Sequence, residues 1–256
     1  VYHQIKSYIQ FLFSSTNAHG VHSPFVYNLV TKCFYDKKKY KEYLLLKAHR
    51  KELTLTSETI SVTDFGAGSR VFTSKERQVS AIAKNAGITR KRQRLLFRLS
   101  NYFSAETTLE LGTSLGMATV ALSLGNPSGK ISTVEGCPQT ATIAKKYFEQ
   151  FQLQNIELFQ EKFESFLTRY KEPVSLVFID GSHSKEKTLQ YFESLLPNIT
   201  NDSIIIFDDI YWSLEMTAAW NIVCKHPKVT VSIDTFQWGL LFFRKEQKKQ
   251  HFKIRV

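Results

Sequence analysis

Large apolar side chains recur at helical intervals through residues 1 to about 50: Ile5, Tyr8, Ile9, Leu12 and Phe13, then Phe25, Leu29 and Val30. No strand-type alternation interrupts them, so this part is expected to be helical. Within it Ser23 stands where a helix cap belongs and Pro24 at the first helical position. Further on, Leu95, Leu96 and Leu99 mark the core face of a helix leading into the first strand of the next region. From about residue 105 short apolar runs alternate with helical stretches. Strands are expected at 107–111, 130–135, 155–160, 174–179, 203–208, 228–233 and 239–244. Asp234–Trp238 is too short for a helical crossover, so the last two should form an antiparallel hairpin. The whole predicts an α/β fold built on a mostly parallel sheet wound on both faces.

The first two of these strands carry the most specific chemistry. Thr107-Thr108-Leu109-Glu110-Leu111 runs into Gly112-Thr113-Ser114-Leu115-Gly116, and Ile131-Ser132-Thr133-Val134 ends in Glu135-Gly136. Glycines let the backbone turn sharply and let the small-residue helix from Met117 to Ala121 pack close to the sheet, leaving room for a ligand over the turn. Glu135 follows Gly112 by 23 residues, near the offset of about 20 at which a carboxylate accepts hydrogen bonds from ribose hydroxyls. A dinucleotide site would use G-x-G-x-x-G, whereas this turn has Gly112-x-x-x-Gly116 preceded by Glu110. A carboxylate there repels a pyrophosphate and suits a cationic ligand such as S-adenosylmethionine. A second glycine turn, Asp64-Phe65-Gly66-Ala67-Gly68-Ser69, has no acid-ended strand at the expected distance and reads as a loop on the acceptor side.

Together these segments resemble the first two cofactor motifs of class I S-adenosylmethionine-dependent methyltransferases. Within that class, Glu110 to Gly116 is most similar to the catechol O-methyltransferase-like and bacterial small-molecule O-methyltransferase branch. The resemblance covers roughly residues 90 to 245 and implies a seven-stranded Rossmann-like sheet with a C-terminal hairpin and an N-terminal helical extension. It divides the chain into a mainly helical part over 1–89 that caps the acceptor side, a cofactor domain over 90–245, and a basic tail over 246–256. Glu110, Gly112, Thr113, Ser114, Gly116, Glu135 and Gly136 are the expected cofactor residues.

The reaction should lie at the carboxyl ends of the strands. Strand 174–179 delivers Asp180-Gly181-Ser182-His183, and strand 203–208 ends in Asp208-Asp209. Converging carboxylates repel one another, which a hard divalent cation, Mg2+, would relieve. The Ile-Asp-Gly-Ser-His and Phe-Asp-Asp segments look like those that hold a metal in bacterial O-methyltransferases, which assigns metal binding to Asp180, Asp208 and Asp209. In metal-dependent relatives the last position is commonly Asn, so Asp209 departs from the pattern. Asp180 has a second expected role at the methionine end of the cofactor. His183 either accepts the acceptor's proton or orients its loop. Of Trp212, Trp220 and Trp238, at least two are expected in the core. His19 and His22 flank a glycine turn, where local hydrogen bonding competes with ligand binding.

Composition narrows this little. With 43% hydrophobic residues, 256 residues can bury one large core. Cys33, Cys137 and Cys224 have no paired spacing and suggest reduced thiols in a cytoplasmic protein. No apolar run is long enough to span a bilayer, and Val1-Tyr2-His3-Gln4 does not open a signal peptide. The net charge of +11 gathers at Lys37–Lys41, Arg90–Arg98 and Lys245–Arg255. The leading expectation is O-methylation of a small molecule, with no membrane partner. An RNA or nucleotide methyltransferase, using the basic clusters, and a non-catalytic cofactor-binding protein are the alternatives.

Overall fold

The structure is a computed structural model that describes residues 2–63, 65 and 74–256. Of the second glycine turn only Phe65 is among them, so the remainder of Asp64–Ser69 lies outside the described residues. In chain order the elements begin with helices α1 (Tyr2–Ser14), α2 (Pro24–Leu29) and α3 (Tyr43–Leu55), strands β1 (Thr59–Ser61) and β2 (Glu76–Gln78), and helices α4 (Val79–Asn85) and α5 (Arg90–Phe103). Strand and helix then alternate through β3 (Thr107–Leu111), α6 (Met117–Gly125), β4 (Lys130–Glu135), α7 (Pro138–Gln150), β5 (Ile156–Gln160), α8 (Phe163–Arg169), β6 (Val174–Ile179) and α9 (Lys185–Leu195). The chain ends with β7 (Ile199–Asp208), α10 (Leu214–Lys225), β8 (Val231–Asp234), β9 (Trp238–Phe242) and β10 (Gln250–Lys253). No described helix is long and apolar enough to cross a membrane.

Two compact units divide the chain: Val1–Tyr35 with Leu167–Val256, and Asp36–Phe166. In the first, the strands run in the order β10-β8-β9-β7-β6. β6 and β7 are parallel, β9 is antiparallel to both β7 and β8, and β10 is parallel to β8. The expected hairpin is therefore present, and the expected strand count is corrected upward by β10, which stands inside the stretch read as a basic tail. Leu176, Val177 and Phe178 of β6 and Ile204, Ile205 and Ile206 of β7 are wholly buried. Such unbroken apolar runs are what a strand covered on both faces requires. Truncating any of them to Ala would cost about 2–5 kcal/mol.

At the N-terminus the expected helix forms with an unexpected orientation. Ser7 and Phe11 face inward, and His3 Nε2 lies 3.0 Å from Thr217 Oγ1 of α10. The apolar residues that signalled the helix, among them Ile5, Ile9, Leu12 and Phe13, are exposed. Ser23 caps α2 as read, its Oγ accepting from the Val26 N–H at 3.4 Å, with Pro24 opening the helix.

In the second unit β3, β4 and β5 are parallel and in sequence order. α6 is buried along nearly its whole length, and Ser100 of α5 donates to the Leu122 carbonyl at 2.8 Å, tying the two helices together. A small antiparallel pair, β1 with β2, interrupts the part read as helical. α3 carries His49, which is wholly buried against the rings of Tyr147 and Phe151, with neither ring nitrogen hydrogen-bonded among the described residues. Burial, reinforced by the neighbouring Arg50 charge, lowers its pKa from 6.5 to about 4.

The unfolded chain thus takes up a proton on His49 below pH 6.5 that the folded chain refuses until about pH 4. Stability should fall by up to about 3 kcal/mol as pH drops through that window. His49→Leu is expected to remove this slope in urea unfolding measured from pH 7 to 4; an unchanged slope would refute the assignment.

Candidate cofactor and acceptor sites

The turn after β3 is held by its backbone and by a buried network. Gly112 and Gly116 have φ of 108° and 77°, conformations that cost a side-chain-bearing residue of order 1 kcal/mol. Gly116 is doubly constrained, since a Cβ there would stand 2.6 Å from the Phe148 ring. The Gly112 N–H donates to the Val134 carbonyl at 3.0 Å, lashing the turn to β4. Beneath it lies Glu110, with no exposed surface. Its Oε2 accepts from Thr119 Oγ1 and Thr133 Oγ1, both at 2.5 Å. Thr133 has spent its one proton, so at the 2.6 Å contact between hydroxyls it is Thr113 that donates to Thr133. The chain of bonds Thr113 to Thr133 to Glu110 anchors the turn from inside.

The structure places Glu110, expected beside the ligand, away from solvent. The pleat of β3 aims it into the interior, where two threonines take one oxygen and Oε1 is buried with no hydrogen-bond partner among the described residues. Burial raises its pKa from 4.5 to about 7, and the Glu135 charge adds to the rise, against the lowering effect of the threonine bonds. Thr113 is buried too, so within the turn Ser114 is the exposed side chain.

Glu135 ends β4 on the accessible rim. Its Oε2 accepts from the Ser114 N–H at 2.7 Å and its Oε1 from the Cys137 N–H at 2.9 Å, so one carboxylate clamps the turn and the start of α7 together. Burial raises its pKa, opposed by these backbone bonds. Gly136 permits a close approach that sequence reading missed: a Cβ there would stand 2.7 Å from the Phe65 ring. Lys162 Nζ lies 5.4 Å from the same ring's centroid. Nothing local in the sequence signals this neighbour, because the segment ending at Thr63 is brought to α7 by contacts distant in sequence. The Thr63 N–H meets Cys137 Sγ at 3.4 Å, and Glu58 pairs with Lys146.

In the other unit, the ends of β6 and β7 bear the expected acids. Asp180 Oδ1 is 3.9 Å from His183 Nε2, within ion-pair range and beyond a hydrogen bond. The His183 ring lies 5.5 Å from that of Trp212, and the backbone N–H of Trp212 donates to the Asp209 carbonyl at 2.8 Å. Trp220 and Trp238 are core residues. Asp208 is buried, and its Oδ1 accepts from the Asp209 N–H at 2.8 Å. Ser182, His183 and Asp209 all have φ in the left-handed region, at 67°, 31° and 51°. Strained backbone of this kind gathers where a fold positions chemistry.

The acids expected to hold a metal are not grouped in this structure. Among the described residues no three His, Cys, Asp or Glu side chains are grouped to hold an ion, so Asp180, Asp208 and Asp209 do not form a ligand trio. The turn explains it: Asp208 folds back on the following N–H, and the left-handed residue at Asp209 reverses the chain. His19 and His22 are exposed and belong to no such group; Asn17 Oδ1 takes the His19 N–H at 3.0 Å.

Comparison with known proteins agrees with this architecture. Residues 109–210 match a sequence family described as "Methyltransferase domain". No curated protein matches in sequence. The SAH-bound methyltransferase PaMTH1 of Podospora anserina shares 12% identity over 88% of this chain and 97% of its own, with a TM-score of 0.64. An SAH-complexed O-methyltransferase from Bacillus cereus shares 17% over 81% and 93%, TM-score 0.53. TomG, a SAM-bound O-methyltransferase of Streptomyces achromogenes involved in tomaymycin synthesis, shares 14% over 81% and 91%, TM-score 0.57. At these identities the likeness is one of fold.

The buried network makes a distinct forecast. Glu110 takes up its proton at about pH 7 when folded and 4.5 when unfolded, so its contribution is fully present below pH 4.5 and is lost as pH rises through 7. Glu110→Gln, which keeps an acceptor, should abolish that loss. Glu110→Ala should destabilise by about 2–4 kcal/mol through two stranded hydroxyls and a cavity. Equal effects of the two substitutions in chemical unfolding would contradict the anchoring role.

Proposed function

We propose that this chain, whose residues 109–210 match a sequence family described as "Methyltransferase domain", is an S-adenosylmethionine-dependent enzyme that methylates an oxygen of a small-molecule acceptor. The observation that carries the reading is Glu135: a carboxylate at the rim of β4, fixed by the Ser114 and Cys137 N–H groups, with lone pairs left for a ribose diol. S-adenosylmethionine, when bound, would supply a methyl on a sulfonium, with the carbon–sulfur pair going to sulfur as an acceptor oxygen took the methyl. The exposed Ser114 stands beside that carboxylate, and Phe65 covers its Gly136 side.

On the acceptor side the work left to the protein is orientation and removal of one proton. His183 takes the hydroxyl proton at Nε2, and Asp180 stands close enough to balance the charge the ring then acquires. The Trp212 face beside it supplies an apolar surface for a small acceptor. O-methyltransferases among the proteins of similar fold support the choice of oxygen.

Isothermal titration with S-adenosylhomocysteine should show binding by the unmodified protein and about 10- to 100-fold weaker binding by Glu135→Ala, the worth of a charged hydrogen bond. Absence of binding by the unmodified protein would overturn the cofactor assignment. His183→Ala should lower kcat on an accepted hydroxyl substrate while leaving cofactor affinity intact; an unchanged kcat would remove His183 from the mechanism.

A further inference from the structure

The chain's positive charge is concentrated rather than spread. Residues 36–51 and 90–103 hold twelve Lys and Arg against two acids, Asp36 and Glu42, so these two segments bear a net +10 of the chain's +11. The remaining residues are close to neutral. Separated by about forty residues of sequence, the two segments meet in one unit through an aromatic joint. The Tyr40 and Tyr43 rings pack on Phe97 of α5 with centroids 4.9 and 5.2 Å apart. Arg94 lies over the Tyr43 ring at 4.8 Å, Arg98 Nη1 donates to the Tyr43 hydroxyl at 3.4 Å, and Lys38 stands over Tyr40 at 5.0 Å. Lys37, Lys38, Lys39, Lys41, Arg90 and Arg94 are all exposed.

We infer that this joined face is a docking surface for single-stranded RNA. Charge of this density calls for a polyanion, and release of its counterions would drive the association. Cations alternating with half-buried tyrosine rings suit a flexible strand, whose phosphates meet the cations while unpaired bases stack beside the rings. An anionic bilayer fits less well, since stable attachment adds buried apolar area to charge. Within the two basic segments Leu44 is the one large apolar residue exposed among the described residues, whereas the exposed apolar residues of α1 accompany only the single cation Lys6. The surface is independent of the methyl-transfer reading: RNA docked here is a partner and need not be the acceptor.

Fluorescence anisotropy with a labelled RNA strand of about 20 nucleotides, titrated across salt, tests this. Log affinity should fall linearly with log salt, and Lys37→Ala/Lys38→Ala/Lys39→Ala should make the slope shallower by about 2, at about 0.7 for each phosphate no longer neutralised. Arg94→Glu should weaken binding by about tenfold or more at about 100 mM salt. A control of equal charge change, Lys245→Ala/Lys248→Ala/Lys249→Ala, should leave the slope unaltered. Thermal midpoints matching the unmodified protein verify folding of each variant. Equal effects of the two triple variants, no RNA binding, or preferential binding of phosphatidylserine vesicles over RNA would each overturn the proposal.

Discussion

A carboxyl group sealed from solvent is the constraint around which the unit Asp36–Phe166 is built. Glu110 is buried with one oxygen, Oε2, held by donors, and these draw on hydroxyls from three different places: Thr119 in the first turns of α6, Thr133 on the adjacent strand, and Thr113 relayed through Thr133. The bonds to that one oxygen fix the turn, the following helix and β4 relative to one another. Glu135 repeats the device from the opposite side, at the rim instead of the floor. The glycine turn is held between two acidic side chains, one structural and one accessible, and that division of labour leaves a rigid edge beside Glu135.

The same unit holds a second sealed titratable group, His49, and the two are opposed. Around mildly acidic pH, Glu110 favours the folded state as protons are added while His49 disfavours it. Each shift has burial as its main cause, and the signs differ because one group is neutral when protonated and the other when deprotonated. Their opposition would leave the net stability flatter across that range than either group alone dictates.

Much of the architecture was legible from hydrophobic pattern. Unbroken apolar runs at β6 and β7 could only be covered strands, and the short gap after β8 could only be a hairpin. Where pattern failed, backbone bonding had decided the outcome. Gln250–Lys253 has Phe252 as its one apolar residue and forms β10 through main-chain pairing that leaves no periodic trace. α1 was recognisable as a helix, yet which of its faces turned inward rested on Phe11, Ser7 and a hydrogen bond between His3 and a residue more than two hundred positions away. In the site, spacing identified Glu135 and the glycine turn correctly as neighbours. Whether Glu110 pointed at a ligand or into the core depended on the pleat, and whether Asp208 and Asp209 acted together depended on one left-handed φ. Neither is written in residue type.

That left-handed geometry has an implication for how the protein can change. Ser114, Ser182, His183 and Asp209 stand at strand ends in conformations that glycine would adopt at lower cost. Selection or engineering for heat resistance would find those positions attractive, since relieving them offers stability without disturbing the core. Yet the side chains lost would be those that stand just beyond the strand ends. A lineage driven toward robustness would keep the fold and shed the chemistry, and the strain carried there marks where those two pressures pull apart.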